Sequence, residues 1–174
     1  ISGRSAMVLV PALFTAMAVS VHAAEFRAGA AKVDVTPLRF PVLVNGGMFS
    51  STATKATSRI HARAIVLDDG GTRLAMVVVD SCMLPRPLLD EIKHAAERRT
   101  GLRADRILIS ATHTHTAPAS MGCLGTDADP TYVPRLREGV VEAIAPYFEP
   151  FTSSEYFGVD GQLIRRMTMV APPY

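Results

Sequence analysis

LAMVVVDSCMLPRPLLDEIKHAAERRTGLRADRILIS, residues 74–110, decides the fold. Leu74 to Val79 is apolar throughout, the pattern of a strand buried on both faces. Pro87 to Thr100 reads as a helix: Leu88, Leu89, Ile92, Ala95 and Ala96 share one face, Arg98 and Arg99 occupy the last turn, and Gly101 stops it. Arg106 to Ser110 is a second strand. A strand, a helix and a strand in this order imply a right-handed crossover with the two strands parallel. Ligands of parallel sheets sit beyond the carboxyl ends of the strands. Asp80-Ser81 and Ala111 to His115 follow the two strands and are expected on one edge of the sheet.

Outward from this unit, Ile60 to Leu67 is a strand, and Asp68-Asp69-Gly70-Gly71 is the turn of a hairpin leading into Leu74. Ala31 to Val35 alternates small or apolar with polar residues, as a half-exposed strand does, and Thr36-Pro37 ends it. Leu38 to Thr57 lacks a helical period and is rich in Gly, Ser and Thr around Asn45-Gly46-Gly47; it reads as a long loop, a class often functional. On the other side, Asp129-Pro130 opens a helix whose core face is Tyr132, Val133, Leu136, Val140, Val141 and Ile144, ended by Pro146. Glu155 to Val159 is a last strand. The expected class is α/β, a mixed, partly parallel sheet flanked by helices.

The chain has 174 residues, enough for one domain with a real core. Eighteen basic and sixteen acidic residues give a net charge of +2, and the basic residues are scattered; no basic stripe marks a nucleic-acid surface. Arg4, the uncharged apolar run Ala6 to Val19 and Val21-His22-Ala23 have the three parts of a secretory signal peptide cut after Ala23. The run is short for a membrane span and holds Pro11. Residues 1–23 are therefore expected to direct export to the periplasm or the exterior, and residues 24–174 to form the domain. An oxidising compartment permits a disulfide between Cys82 and Cys123, but two buried thiols fit the spacing equally. The absence of an initiator Met and the ending Pro172-Pro173-Tyr174 lead to the expectation of a piece of a longer protein.

The sharpest chemical signal is Ser110-Ala111-Thr112-His113-Thr114-His115-Thr116-Ala117-Pro118. In extended backbone, residues two apart point to one side, so His113 and His115 can converge on one ion, or on an ion and its substrate. Imidazole suits zinc, and catalytic zinc keeps one position open for water. The metallo-β-lactamase pattern also starts Thr-His-x-His but continues Asp-His, where this chain has Thr116-Ala117. The amidohydrolase barrels place His-x-His after their first strand, whereas here a hairpin and a strand-helix unit precede it. Asp80 either orients a ligand histidine or caps the loop after its strand. His61, on an alternating strand, and His94, on the helix, read as solvent-facing.

Taken together, the motifs resemble those of the neutral/alkaline ceramidases, over most of Glu25 to Tyr174. Matching segments, in order, are Ala28 to Thr36, Asn45-Gly46-Gly47-Met48, Ala62 to Val66, Val77-Val78-Val79-Asp80, Ala111 to Pro118, Val159-Asp160-Gly161 and Ile164-Arg165-Arg166. Thr116 and Ala117 replace a Ser and a Gly of the family motif, and Arg165 replaces an Asn. The resemblance implies the N-terminal portion of a larger catalytic domain that hydrolyses the amide of an N-acyl lipid such as ceramide. It implies Zn2+ with His113 as a ligand, His115 and Arg166 as catalytic groups, Gly46 or Gly47 offering backbone to substrate, and the remaining ligands beyond Tyr174. A lipid substrate is compatible with peripheral contact with a membrane. Two other readings stay open: a metallohydrolase of another amide or ester, and an exported binding domain whose histidine pair is structural.

Overall fold

The computed structural model describes residues 26–148 and the main chain of 165–169. Residues 1–23, read as a signal peptide, and the strand expected at Glu155 to Val159 lie outside the described residues.

The elements run β1 (Phe26–Asp34), β2 (Val42–Val44), β3 (Ser51–Ala53), β4 (His61–Asp68), β5 (Arg73–Val79), α1 (Arg86–Thr100), β6 (Ile107–Ala111), α2 (Val133–Ile144) and β7 (Arg165–Met169). Five strands form one sheet in the order β6-β5-β4-β1-β7. Among the described strands, only β5 and β6 run parallel, paired from Ala75↔Ile107 to Val79↔Ala111. The other pairings are antiparallel. The sheet is mixed and partly parallel, as the strand-helix-strand unit implied.

The hairpin between β4 and β5 closes on aspartates. Asp68 Oδ1 accepts the Gly70 N–H at 2.8 Å, and Asp69 Oδ1 accepts those of Gly71 and Thr72. The segment from 38 to 57 is not one open loop. It folds back as the short antiparallel pair β2–β3. Strand β1 begins at Phe26, earlier than the alternation at Ala31 suggested. The Asp129-Pro130 pair forms a turn before its helix; α2 starts at Val133, and Pro134 occupies its first turn.

The core lies between one sheet face and both helices. Val33, Ala62, Ala64, Val66, Ala75, Val77, Val79, Ile107 and Ile109 meet Leu88, Ile92 and Ala96 of α1 and Leu136, Val140 and Ile144 of α2. Truncating Ile92, fully buried, to alanine costs about 2–5 kcal/mol. Gly139 lets α2 lie against β1: a Cβ there would stand 2.4 Å from Val35 Cγ1.

The expectation that β5 is buried on both faces is corrected. Its odd positions Ala75, Val77 and Val79 are buried, while Met76 and Val78 are 39% and 42% exposed. The reason is that both helices pack on one side. On the other, Ile65, Met76 and Leu108, neighbours in register across three strands, form an exposed apolar row.

Candidate metal centre

The register aligns the ends of β5 and β6, so the two following loops leave from the same edge. Thr112 N–H donates to Val79 O at 2.9 Å, continuing the ladder one step past β6. The chain then turns sharply, and His113 has φ 63°, in the left-handed region. The histidines therefore do not sit two apart on a pleat, as the sequence reading supposed; β6 ends at Ala111. They converge by way of the turn.

That turn brings His113 over the loop after β5. Its Nδ1 lies 2.9 Å from Cys82 O. A carbonyl only accepts, so Nδ1 carries the proton and the neutral ring keeps its lone pair on Nε2. His115 Nε2 lies 3.1 Å from His113 Nε2, and the rings meet edge to face with centroids 4.6 Å apart. His115 Nε2–H is thus the donor of this pair. Both histidines are exposed at the surface, whereas Cys82 beneath them is buried. Cys82 Sγ is 3.9 Å from His113 Nδ1. One donor atom from each of Cys82, His113 and His115 lies within 4.8 Å of the others, a cluster able to hold a metal ion.

The donor set fits zinc. Zinc takes imidazole nitrogen and cysteine sulfur at about 2.0–2.3 Å, which puts tetrahedral neighbours about 3.3–3.6 Å apart. His113 offers Nε2 for such a bond, its Nδ1 being engaged by Cys82 O. The bond from Nδ1 to a carbonyl is the usual outer support of a ligand histidine.

Two further loops close on this edge. Gly46 adopts φ 105°, and a Cβ placed on it would stand 2.8 Å from both Cβ and Cγ of His115. Only a glycine lets the backbone approach the ring so nearly. Gly47 has no such neighbour; its Cβ would meet only Phe49 O, at 3.6 Å. The Gly46 loop is held by Asn45, whose Nδ2 donates to Met121 O at 2.8 Å, and by a bridge between Val44 and Pro118.

Asp129 ties these pieces together. Its Oδ2 accepts Leu43 N–H at 2.7 Å, its Oδ1 accepts from Thr131 and from Tyr132 N–H, and its own N–H donates to Ala119 O. Burial alone would raise this carboxyl; the bonds from Thr131, Leu43 and Tyr132 outweigh it and hold it below the usual range. The buried hydroxyls of Ser81 and Ser120 both reach Met83 O and lie 3.1 Å from each other, fastening the two strand-end loops.

Asp80 is engaged with β4. Its Oδ2 accepts His61 N–H at 2.9 Å and its Oδ1 accepts from Arg63 at 2.8 Å. His61, read as solvent-facing, is only 13% exposed and sits 3.9 Å from that carboxylate. Burial, then Arg63 and Lys32, lower its pKa. His94 is exposed on α1, as expected. Arg166 is not brought to the histidines by the strand register. Its main chain, on β7, pairs with Gly29 of β1 and stands four strands from β6, each spacing about 4.8 Å. Cys82 and Cys123 are both free thiols. A cavity of about 540 Å³ opens on Asp34, Thr36, Arg59 and Arg135, and no histidine lines it.

The sequence reading missed Cys82, Asn45 and Asp129. Cys82 had a usable signal: it follows Asp80-Ser81 at the carboxyl end of β5.

No protein-family model matches the chain. Among solved structures, it matches the neutral ceramidase from Pseudomonas aeruginosa with a TM-score of 0.63 at 20% identity, over 71% of this chain and 22% of that one. The fold is that of the neutral ceramidases. A ceramidase complexed with C2 matches at a TM-score of 0.62 and 21% identity, over 71% and 21% of the two chains. The chain thus spans about a fifth of the length of the ceramidase structures it matches.

Proposed function

We propose that this chain is part of a zinc-dependent hydrolase that cleaves the amide bond of an N-acyl lipid of the ceramide type, giving a fatty acid and a sphingosine-like amine. The observation that carries this is the convergence of His113 and His115 over Cys82 at a sheet edge, in a ceramidase fold.

Zinc, when bound, polarises a carbonyl and makes hydroxide available near neutral pH. Everything else falls to the chain. His113 offers the Nε2 lone pair that its bond to Cys82 O leaves free. His115 presents Nε2–H to an oxygen on which negative charge develops, the role of an oxyanion donor. Gly46 lets its loop close directly on His115, and the backbone it would offer to a substrate enters this reading through the sequence resemblance. Arg166 enters this reading through the sequence resemblance alone. A long apolar substrate is favoured by the rim: Met48 and Phe49, just after Gly46, are 72% and 85% exposed, and Leu124 is 63% exposed. The two loops abut, since a Cβ on Gly125 would lie 3.5 Å from Met48 O. Such a rim also suits contact with a lipid surface. Residues 1–23, as a signal peptide, would place the reaction outside the cytoplasm.

The test uses the full-length protein. Stoichiometric zinc and release of fatty acid from an N-acylsphingosine, lost on chelation and restored by zinc, are expected. Bound zinc with no turnover on any N-acyl substrate would sink the reading in favour of a binding domain.

A further inference from the structure

The two imidazoles of the metal centre stand on a sulfur atom. Cys82 is 2% exposed, its Sγ is 3.9 Å from His113 Nδ1, and both histidines above it open to solvent. The described site therefore mixes two borderline nitrogen donors at the mouth with one soft donor at the floor. The zinc hydrolysis reading needs only the nitrogens.

We propose that Cys82 makes this centre a trap for thiophilic cations: Cys82 Sγ, His113 and His115 together bind a soft divalent cation such as cadmium and thereby block the site. This rests on reading the two histidines as metal-facing, and not on the identity of the substrate. Thiolate selects soft metals, while imidazole accepts both soft and borderline ones. A hard ion gains little from the sulfur; zinc can use it, and a softer ion gains more from it as a third ligand. The donor atoms already lie within 4.8 Å of one another, and contraction by at most about 1.5 Å brings them to the tetrahedral spacing.

The chemistry balances without a redox partner. A thiol is ordinarily protonated at neutral pH, so the free site holds S–H. On binding, the S–H bond breaks, the sulfur–cadmium bond forms from the sulfur lone pair, and one proton leaves to solvent. On binding, the His115 proton moves by way of solvent from Nε2 to Nδ1, so the ring stays neutral and Nε2 becomes a donor. The small size of the cluster sets the stoichiometry at one cation per chain. Cys123 is outside the donor set, although it too is a free thiol.

The experiment titrates the full-length protein with cadmium and reads the thiolate-to-cadmium charge-transfer absorbance, alongside competition with zinc. One cadmium per chain with that band is expected. Cys82→Ser and Cys82→Ala should each abolish the band and weaken cadmium by more than about tenfold, the least that losing a ligand's support costs. Circular dichroism of both variants reports folding, and two substitutes guard against one failing to fold. Cys123→Ser should keep band and affinity, and His113→Ala should lose affinity. A band that survives Cys82→Ser, or is absent from the unaltered protein, overturns the proposal. So does full cadmium affinity in His113→Ala. None of these readouts requires turnover, so failure of the hydrolase reading shows separately, as intact cadmium binding without N-acyl hydrolysis.

Discussion

His113 donates its Nδ1–H to the carbonyl oxygen of Cys82 at 2.9 Å, and this one bond joins the ends of two parallel strands. It fixes which nitrogen of His113 faces out, and through the 3.1 Å contact it fixes the proton of His115 as well. The two histidines are therefore chemically unequal although they share a sequence motif.

That inequality sets the first expectation. In the full-length protein, His113→Ala should lose both zinc and hydrolysis, because it removes the outward lone pair. His115→Ala should lose hydrolysis by about a hundredfold or more, the usual cost of an oxyanion donor, while retaining much of the zinc. Metal analysis beside steady-state rates decides; full zinc retention in both variants contradicts the assignment.

Gly46 and Gly47 are adjacent but not equivalent. Gly46→Ala drives a methyl to 2.8 Å from the His115 ring root and forces a left-handed φ on alanine. Displacing a catalytic group by about 1 Å can cost a hundredfold in rate, and the strained backbone adds about 1–2 kcal/mol of instability. Gly47→Ala meets only Phe49 O at an ordinary 3.6 Å and should leave rate and melting temperature nearly unchanged. Equal losses from the two substitutions would show that the loop, rather than the contact with His115, is what matters.

Asp34 provides a pH signature of the fold. Burial acts to raise its carboxyl, but bonds from the Thr36 hydroxyl and N–H, and then Arg59, overcome this and bring the pKa to about 2, from an ordinary 3.8. The folded pKa is depressed, so the associated stability is fully present above 3.8 and is lost as pH falls toward 2. Chemical denaturation at several pH values should show that loss, and Asp34→Asn should flatten it in the same window. An unchanged slope in Asp34→Asn would assign acid sensitivity to other groups.

Export has a direct test. Protein recovered from the periplasm or medium should begin at Ala24 or Glu25. Membrane-bound protein that still carries residues 1–23 would mean the apolar run is an anchor.

The strand-helix-strand unit was legible because its signals are local. The apolar run at Leu74, the helical spacing from Leu88 to Ala96 and the glycine at 101 each report on neighbours in sequence. The meeting of the loops after β5 and β6 was legible for the same reason, since parallel pairing follows from the crossover. One-sided burial of β5 was not: Val78 looks as apolar as Val77, and only the placement of both helices on one face separates them. Convergence of the histidines was foreseen with the wrong backbone, because periodicity does not report a left-handed turn. Asp129 was read as the start of a helix; its bond to Leu43 reaches a segment far away in sequence, and no local pattern announces it.

The left-handed backbone at His113 bears on how this residue can be replaced. Most side chains resist that region by about 1–2 kcal/mol, while asparagine enters it readily because its short amide bonds to the local backbone. An alanine there removes the imidazole and also loads the turn, so two losses arrive as one number. His113→Asn keeps the torsion relaxed and takes away only the ring. The pair of substitutions thus measures separately what the turn costs the polypeptide and what the ring gives the site.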